Sequence, residues 1–196
     1  MANFTNPSTQ TTGHLVTAEE WNEFVNNHKF FDETRYLELD IAESHPPDNM
    51  SIAPISLVAS SAGTPTPKAY VASFDAGTIE GREWAKPIPP EFKDSPAIEF
   101  LAYMGTATSG TVVVNAYVSS SGVGANGTTF AFDTINSATI TVPGTASITF
   151  AGTISLTNAD SMAAKDAAVF CLSRGTAGNT AGGDMMIKSA AFRYGI

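Results

Sequence analysis

The sequence predicts a mainly β protein, an antiparallel β-sandwich of jelly-roll type with an N-terminal extended arm and one short amphipathic helix. Short β-branched runs alternate with Gly, Ser, Asn and Asp turns throughout residues 97–196. In the clearest run apolar residues alternate with small or hydroxylated ones, as a strand with one buried face requires. Its apolar residues are Ile148, Phe150, Ile154 and Leu156. About eight such runs, at the spacing of a sandwich, fit the two packed sheets of a jelly roll.

The composition and the charge exclude several classes of function. With 196 residues the chain has room for one domain of ordinary size and an arm. Ten basic and 19 acidic residues give a net charge of −9, which repels phosphate backbones, so nucleic acid is not an expected partner. No run of about 18 apolar residues predicts a membrane span, and residues 1–10 are too polar for a signal peptide. The sequence therefore predicts no membrane partner and synthesis in a cytoplasm.

Residues 1–35 are predicted to form an arm followed by a helix. Residues 1–13 are rich in Thr, Asn, Ser and Gln and have no hydrophobic period, which is typical of an extended arm. Thr17 and Glu20 have the spacing of a capping box at a helix N-terminus. Four apolar residues then line one face at helical spacing; they are Trp21, Phe24, Val25 and Phe31. We predict that this face serves attachment or oligomerisation, with packing against the chain's own sandwich as the alternative.

The segment from 36 to 96 is predicted to be rich in loops, with a few edge strands. Its prolines exclude long regular elements. The short strands predicted between the prolines are 54–59, 68–74 and 80–85. The predicted organisation is an arm and helix at 1–35, a loop-rich segment at 36–96 and a sandwich at 97–196. Strands from about residue 68 are assigned to the sandwich.

Six further strands are predicted after residue 96, besides the run that contains Phe150. They are 98–104, 112–118, 128–133, 139–142, 167–174 and 185–194. Apolar residues occupy every second position of the first two, so these side chains are expected to face the core. They are Ile98, Phe100, Ala102, Met104, Val112, Val114, Ala116 and Val118.

No catalytic, cofactor-binding or metal-binding residue is predicted. All three histidines lie in the first quarter of the chain, and His28 on the helix has no second His or Cys at metal-ligand spacing. Cys171 is the only cysteine and is interpreted as a small core residue, so no disulfide is expected. Glu83 and Glu99 are interpreted as solvated charges, with the paired carboxylates of a glycosidase as the alternative. We therefore do not expect an enzyme.

Residues 12–22 read T-G-x-x-V-T-A-x-x-W-N and lead into the predicted helix. This motif resembles the N-terminal segment of virion structural proteins of tailed bacteriophages, and residues 97–196 look like the sandwich that follows it in such proteins. The resemblance implies a capsid decoration, head fibre or tail fibre protein in the virion, anchored to major capsid or tail proteins by its N-terminal part. It also implies a homo-oligomer, often a trimer.

A carbohydrate- or receptor-binding module, such as a tail fibre tip, is the alternative from a different class. Such a module binds through aromatic rings that stack on sugar rings, because an aromatic side chain offers a large apolar face. The aromatic residues chosen as possible contacts to a host-surface glycan are Trp84, Tyr103 and Tyr117.

Overall fold

The computed structural model describes residues 17–22, 34–60, 63–128 and 130–196, and in these it has eleven strands. The first five are β1 (Thr34–Leu39), β2 (Ser51–Ile52), β3 (Ile55–Ala59), β4 (Lys68–Phe74) and β5 (Glu80–Pro87). The other six are β6 (Asp94–Met104), β7 (Thr111–Ser121), β8 (Asn136–Thr141), β9 (Phe150–Ser155), β10 (Ala167–Arg174) and β11 (Met185–Gly195). A short 3-10 helix, Ile41–Glu43, follows β1.

The strands form two sheets that pack face to face. Sheet 1 has the order β3-β4-β11-β6-β9, and β1 pairs with β11 along the same edge as β4. Sheet 2 has the order β2-β5-β10-β7-β8, and every pair in the two sheets is antiparallel except β2 with β5. The strands from β4 to β11 therefore stack as 4-11-6-9 over 5-10-7-8, which is the order of a jelly roll built from two Greek keys. The predicted fold class is confirmed.

The core lies between the two sheets. The eight side chains predicted to face inward from β6 and β7 are at most 3% exposed, so both faces were predicted correctly. Their burial against the opposite sheet supplies much of the stabilisation, at roughly 25 cal/mol for each Å² of apolar surface removed from water. In the run that contains β9, Ile154 lies in the core and Phe150 packs against it, as predicted. Ile148 is 51% exposed because it lies ahead of the strand.

The two sheets include strands from Thr34 onward, whereas the sequence assigned only strands from about residue 68 to the sandwich. Strand β1 is hydrogen bonded along β11, and β5 along β10. The segment before residue 97 also supplies large core side chains, namely Leu39, Ile41, Phe74, Trp84 and Ile88. This segment resembles loops in the sequence because prolines and charged residues separate short apolar runs.

The strand predicted at 128–133 is also wrong, since residues 130–133 have no strand pairing. This stretch approaches β7 through one backbone contact, the amide of Asp133 donating to the carbonyl of Val118 at 2.9 Å. The side chains of Asn126 and Asp133 accept hydrogen bonds from the amides of Thr128 and Thr134. Such local bonds favour turns over extended ladders.

Residues 18–22 are helical, and their predicted capping box is confirmed. The hydroxyl of Thr17 accepts from the amide of Glu20 at 3.2 Å, and the amide of Thr17 donates to the Glu20 carboxylate at 2.8 Å. Trp21 is 58% exposed. Phe24, Val25 and Phe31 lie outside the described residues, so the attachment role of this face stays a prediction. Within the described part of the chain, no helix has the length and hydropathy of a membrane span.

Candidate functional site

The outer face of sheet 2 carries a floor of small side chains. Antiparallel pairing aligns Trp84, Phe170 and Val118 across β5, β10 and β7, and all three are buried in the core. Because side chains alternate along a strand, the adjacent rows face outward. These rows are Ala85–Val169–Ser119 and Pro87–Ala167–Ser121. They are short enough to leave a shallow, largely apolar depression.

The loop between β7 and β8 stands over this floor. Phe130 is 58% exposed and lines a groove of about 450 Å³ together with both rows, Lys86, Gly127 and Ala168. We call this the Phe130 groove. A second depression of about 510 Å³ shares Ser121 and Phe130 with it and has Phe132, Asp133 and Asp160 in its walls. The ring of Phe130 therefore separates an apolar groove from a more polar one.

Hydrogen bonds to two carboxylates fix the loop that carries Phe130. Asp133 accepts from the amides of Thr134 at 2.6 Å and Asp160 at 2.9 Å. Asp160 in turn accepts from the amide of Ser120 on β7 at 2.7 Å. The backbone bonds from Thr134 and Asp160 lower the pKa of Asp133 from its ordinary value, since they stabilise the ionised form. The loop is thus tied to the sheet through the carboxylates of Asp133 and Asp160.

The Phe130 groove itself has no unbalanced charge in the described residues. Its one basic side chain, Lys86, lies 2.7 Å from the carboxylate of Glu43. The neighbouring depression is acidic, because Asp133 and Asp160 line it. An anionic ligand would meet repulsion on this side of the molecule.

The structure does not bring the three predicted glycan contacts together. Tyr117 lies on the outer face of sheet 2, half-buried, with its ring centroid 5.9 Å from that of Phe132 at an interplanar angle of 56°. Tyr103 lies on the outer face of sheet 1 and lines a separate groove. Trp84 is wrong as a contact: its indole is 1% exposed and donates to the carbonyl of Asp40 at 2.7 Å, so it offers no face to a ligand.

Phe130 and Phe132 are the aromatic residues of this face that the sequence reasoning missed. Two phenylalanines two residues apart fit the period of a strand, so the stretch was predicted to be one. Two signals indicated a loop: the glycine-rich run before this stretch and Asp133-Thr134 after it. Both are typical of turns.

The groups considered for catalysis are not arranged for it. Cys171 is fully buried, and burial, followed by the charge of Glu83, raises the pKa of its thiol to about 12, so the thiol stays neutral at physiological pH. Burial also raises the pKa of Glu83, against the opposing effect of His45. Glu83 and Glu99 lie on different sheets, and Glu99 is 3.4 Å from Arg193. Within the described ranges no three His, Cys, Asp or Glu side chains gather as metal ligands would.

Comparison with protein-family models and with curated proteins gives no match. Solved structures with a similar fold include the CBM22-1 xylan-binding domain from Paenibacillus barcinonensis Xyn10C, at 9% identity and a TM-score of 0.43, covering 83% of this chain and 95% of that one. The family 11 carbohydrate-binding module of the cellulase Lic26A-Cel5E of Clostridium thermocellum has 10% identity and a TM-score of 0.42, with the same coverage. The module TmCBM61, in complex with beta-1,4-galactotriose, has 12% identity and a TM-score of 0.37, covering 85% and 90%. The likeness is one of fold.

Proposed function

We propose that this chain is a non-catalytic binding module that holds a neutral saccharide in the Phe130 groove. The observation that carries the proposal is an exposed phenylalanine ring over a floor of Ala, Val, Pro and Ser side chains. A sugar ring has one face of C–H groups, which packs on such apolar surface, and hydroxyls around its rim. The volume of about 450 Å³ falls in the range of small-molecule sites, which are mostly apolar with a few polar groups.

The electrostatics favour an uncharged ligand. The Lys86 ammonium is occupied by Glu43 and is not available to a ligand carboxylate. Asp133 and Asp160 lie on the far side of Phe130, where they accept hydrogen bonds and repel anions. Ser121 provides a hydroxyl at the groove itself, whereas Ser119 lines it but is only 3% exposed.

Replacing Phe130 by alanine is expected to weaken saccharide binding about tenfold, since it removes one stacking ring and its buried area. The melting temperature should change little because the side chain is 58% exposed. A glycan array with the full chain identifies the neutral ligand, and titration calorimetry then measures its affinity. Tyr36→Ala is the matched control, since Tyr36 is 57% exposed on β1 of the other sheet. Equal losses in both variants, or an array without any neutral ligand, would contradict the proposal.

A structural role in a bacteriophage virion is the second candidate. It is favoured by a capped helical turn, outside the sandwich strands, with Trp21 58% exposed. In this role the N-terminal part would attach the sandwich to capsid or tail proteins, as a homotrimer in the assembled particle. Saccharide binding by the sandwich is compatible with this role, because a fibre tip also binds surface glycans.

Trp21→Ala tests the attachment role. The variant is expected to lose most of its incorporation into particles while its thermal melt stays within about 1 °C of the unchanged chain, because a half-exposed side chain adds little to stability. Incorporation is measured by sedimentation of particles assembled with each variant. Phe130→Ala serves as the comparison and should be incorporated normally. Full incorporation of Trp21→Ala would exclude this residue as an anchor.

A further inference from the structure

Available cations are scarce on this acidic chain. Its net charge is −9, Arg82 and Arg174 are buried, and Lys86 and Arg193 are paired with carboxylates. Three lysines are exposed and form no ion pair with a described residue; they are Lys68, Lys165 and Lys188. Two of these three line a single groove.

This groove lies on the outer face of sheet 1, on the opposite side of the sandwich from the Phe130 groove. It has a volume of about 510 Å³, and its walls include Lys68, Lys188, Tyr103, Ser147 and Thr149. No Asp or Glu is among its lining residues. We call it the lysine groove. The lining thus combines positive charge, hydroxyls and one aromatic ring.

Two backbone irregularities shape the walls of the lysine groove. The pairing of β11 with β6 shifts register between Ile187 and Ser189, so Lys188 lies at a bulge. Bulges redirect a side chain out of the regular alternation. Ser147 has a φ of +63°, in the left-handed region, and its amide donates to the carbonyl of Met104 at 2.9 Å. A non-glycine residue in this region is strained, so the surrounding structure must hold it there.

We propose that the lysine groove binds a saccharide that carries carboxylates, as a chain of uronic acids does. Two ammonium groups with no carboxylate partner among the described residues attract carboxylates more strongly than they attract neutral hydroxyls. The ring of Tyr103 supplies an apolar face for the sugar, and Ser147 and Thr149 supply hydroxyls. The site is separate from the proposed neutral site, so one chain has one face suited to a neutral saccharide and another suited to an anionic one.

The test measures binding of hexamers of galacturonic and mannuronic acid to the full chain by titration calorimetry. At least one should bind, and Lys68→Gln combined with Lys188→Gln should weaken it about tenfold or more, because both ammonium contacts are lost. Raising the salt from about 50 to about 300 mM should also weaken it, since the screening length shortens. Tyr103→Leu should weaken it several-fold, because the ring that packs on the sugar face is lost.

Matched controls separate this site from general attraction and from the Phe130 groove. Lys165→Gln makes the same charge change elsewhere on the surface and should leave uronate binding unchanged, as should Phe130→Ala. A neutral galactose hexamer should not respond to the double lysine variant. The proposal is overturned if neither uronate binds, if the double variant binds as well as the original chain, or if polyglutamate binds as tightly as the uronates. A negative result for Phe130→Ala would contradict the neutral site in the Phe130 groove but would not change the results expected for the lysine groove.

Discussion

A fragment that begins at Pro96 is expected to be unfolded, whereas a fragment that begins at Thr34 should melt cooperatively. The shorter fragment lacks β1 to β5, so β11 and β10 each lose the strands on one side. It also lacks core side chains, among them Leu39, Phe74 and Trp84. Each large buried side chain contributes about 1.5–3 kcal/mol, so the loss is comparable with a whole stability of about 5–15 kcal/mol. Circular dichroism and thermal melts distinguish the two outcomes.

The longer fragment is the control, because residues 34–196 contain all eleven strands found in the described part of the chain. Its melt should stay close to that of the full chain. A cooperative β-type melt of the Pro96 fragment would mean that β6 to β11 form a core of their own. A molten fragment from Thr34 would mean that the preceding residues are part of the core.

Trp84→Ala is expected to lower the free energy of unfolding by about 3–5 kcal/mol, the usual cost of truncating a buried aromatic side chain. The indole is 1% exposed, and its loss also leaves the carbonyl of Asp40 without the donor it has at 2.7 Å. For a chain of this size the melting temperature should fall by roughly 6–20 °C. Urea unfolding followed by circular dichroism measures the change.

Trp84→Phe is the matched variant. It keeps most of the apolar volume and removes the hydrogen bond, so the expected cost is smaller, about 1–3 kcal/mol. A destabilisation below about 1 kcal/mol for Trp84→Ala would show that the indole is not core. Loss of saccharide binding without loss of stability would return Trp84 to the set of ligand contacts.

Some strands could be predicted closely from the sequence. Strands β4 and β10 have the predicted bounds, 68–74 and 167–174. Strand β1 was missed because its inward residues, Leu37 and Leu39, alternate with charged ones on a stretch that follows directly on a helix prediction. Two-residue β2 is too short to have a period. Local pattern is informative only where the strand is long enough to repeat it.

The residues of the candidate sites were harder to predict than the strands. Whether Trp84 points in or out depends on its cross-strand row with Phe170, and a shift of one residue exchanges the two faces. Phe130 is accessible because residues 130–133 pair with no strand. That absence of pairing depends on the tertiary structure of the loop and not on its local sequence. Tyr117 and Tyr103 were placed on outer faces by the same alternation that buried their neighbours. The sequence therefore identified aromatic candidates but not which of them share a surface.

The pairing of β1 with β11 has a consequence for the connectivity of the chain. Thr34 and Gly195 are direct partners in that antiparallel pair, which sets their Cα atoms about 4.5–5.5 Å apart. The two ends of the sandwich segment therefore lie side by side. They can be joined by a short linker and the chain opened in a loop, a circular permutation that preserves every strand. Val123 is fully exposed in the loop after β7 and is a suitable position for the new termini. A peptide fused after Ile196 would likewise emerge next to Thr34.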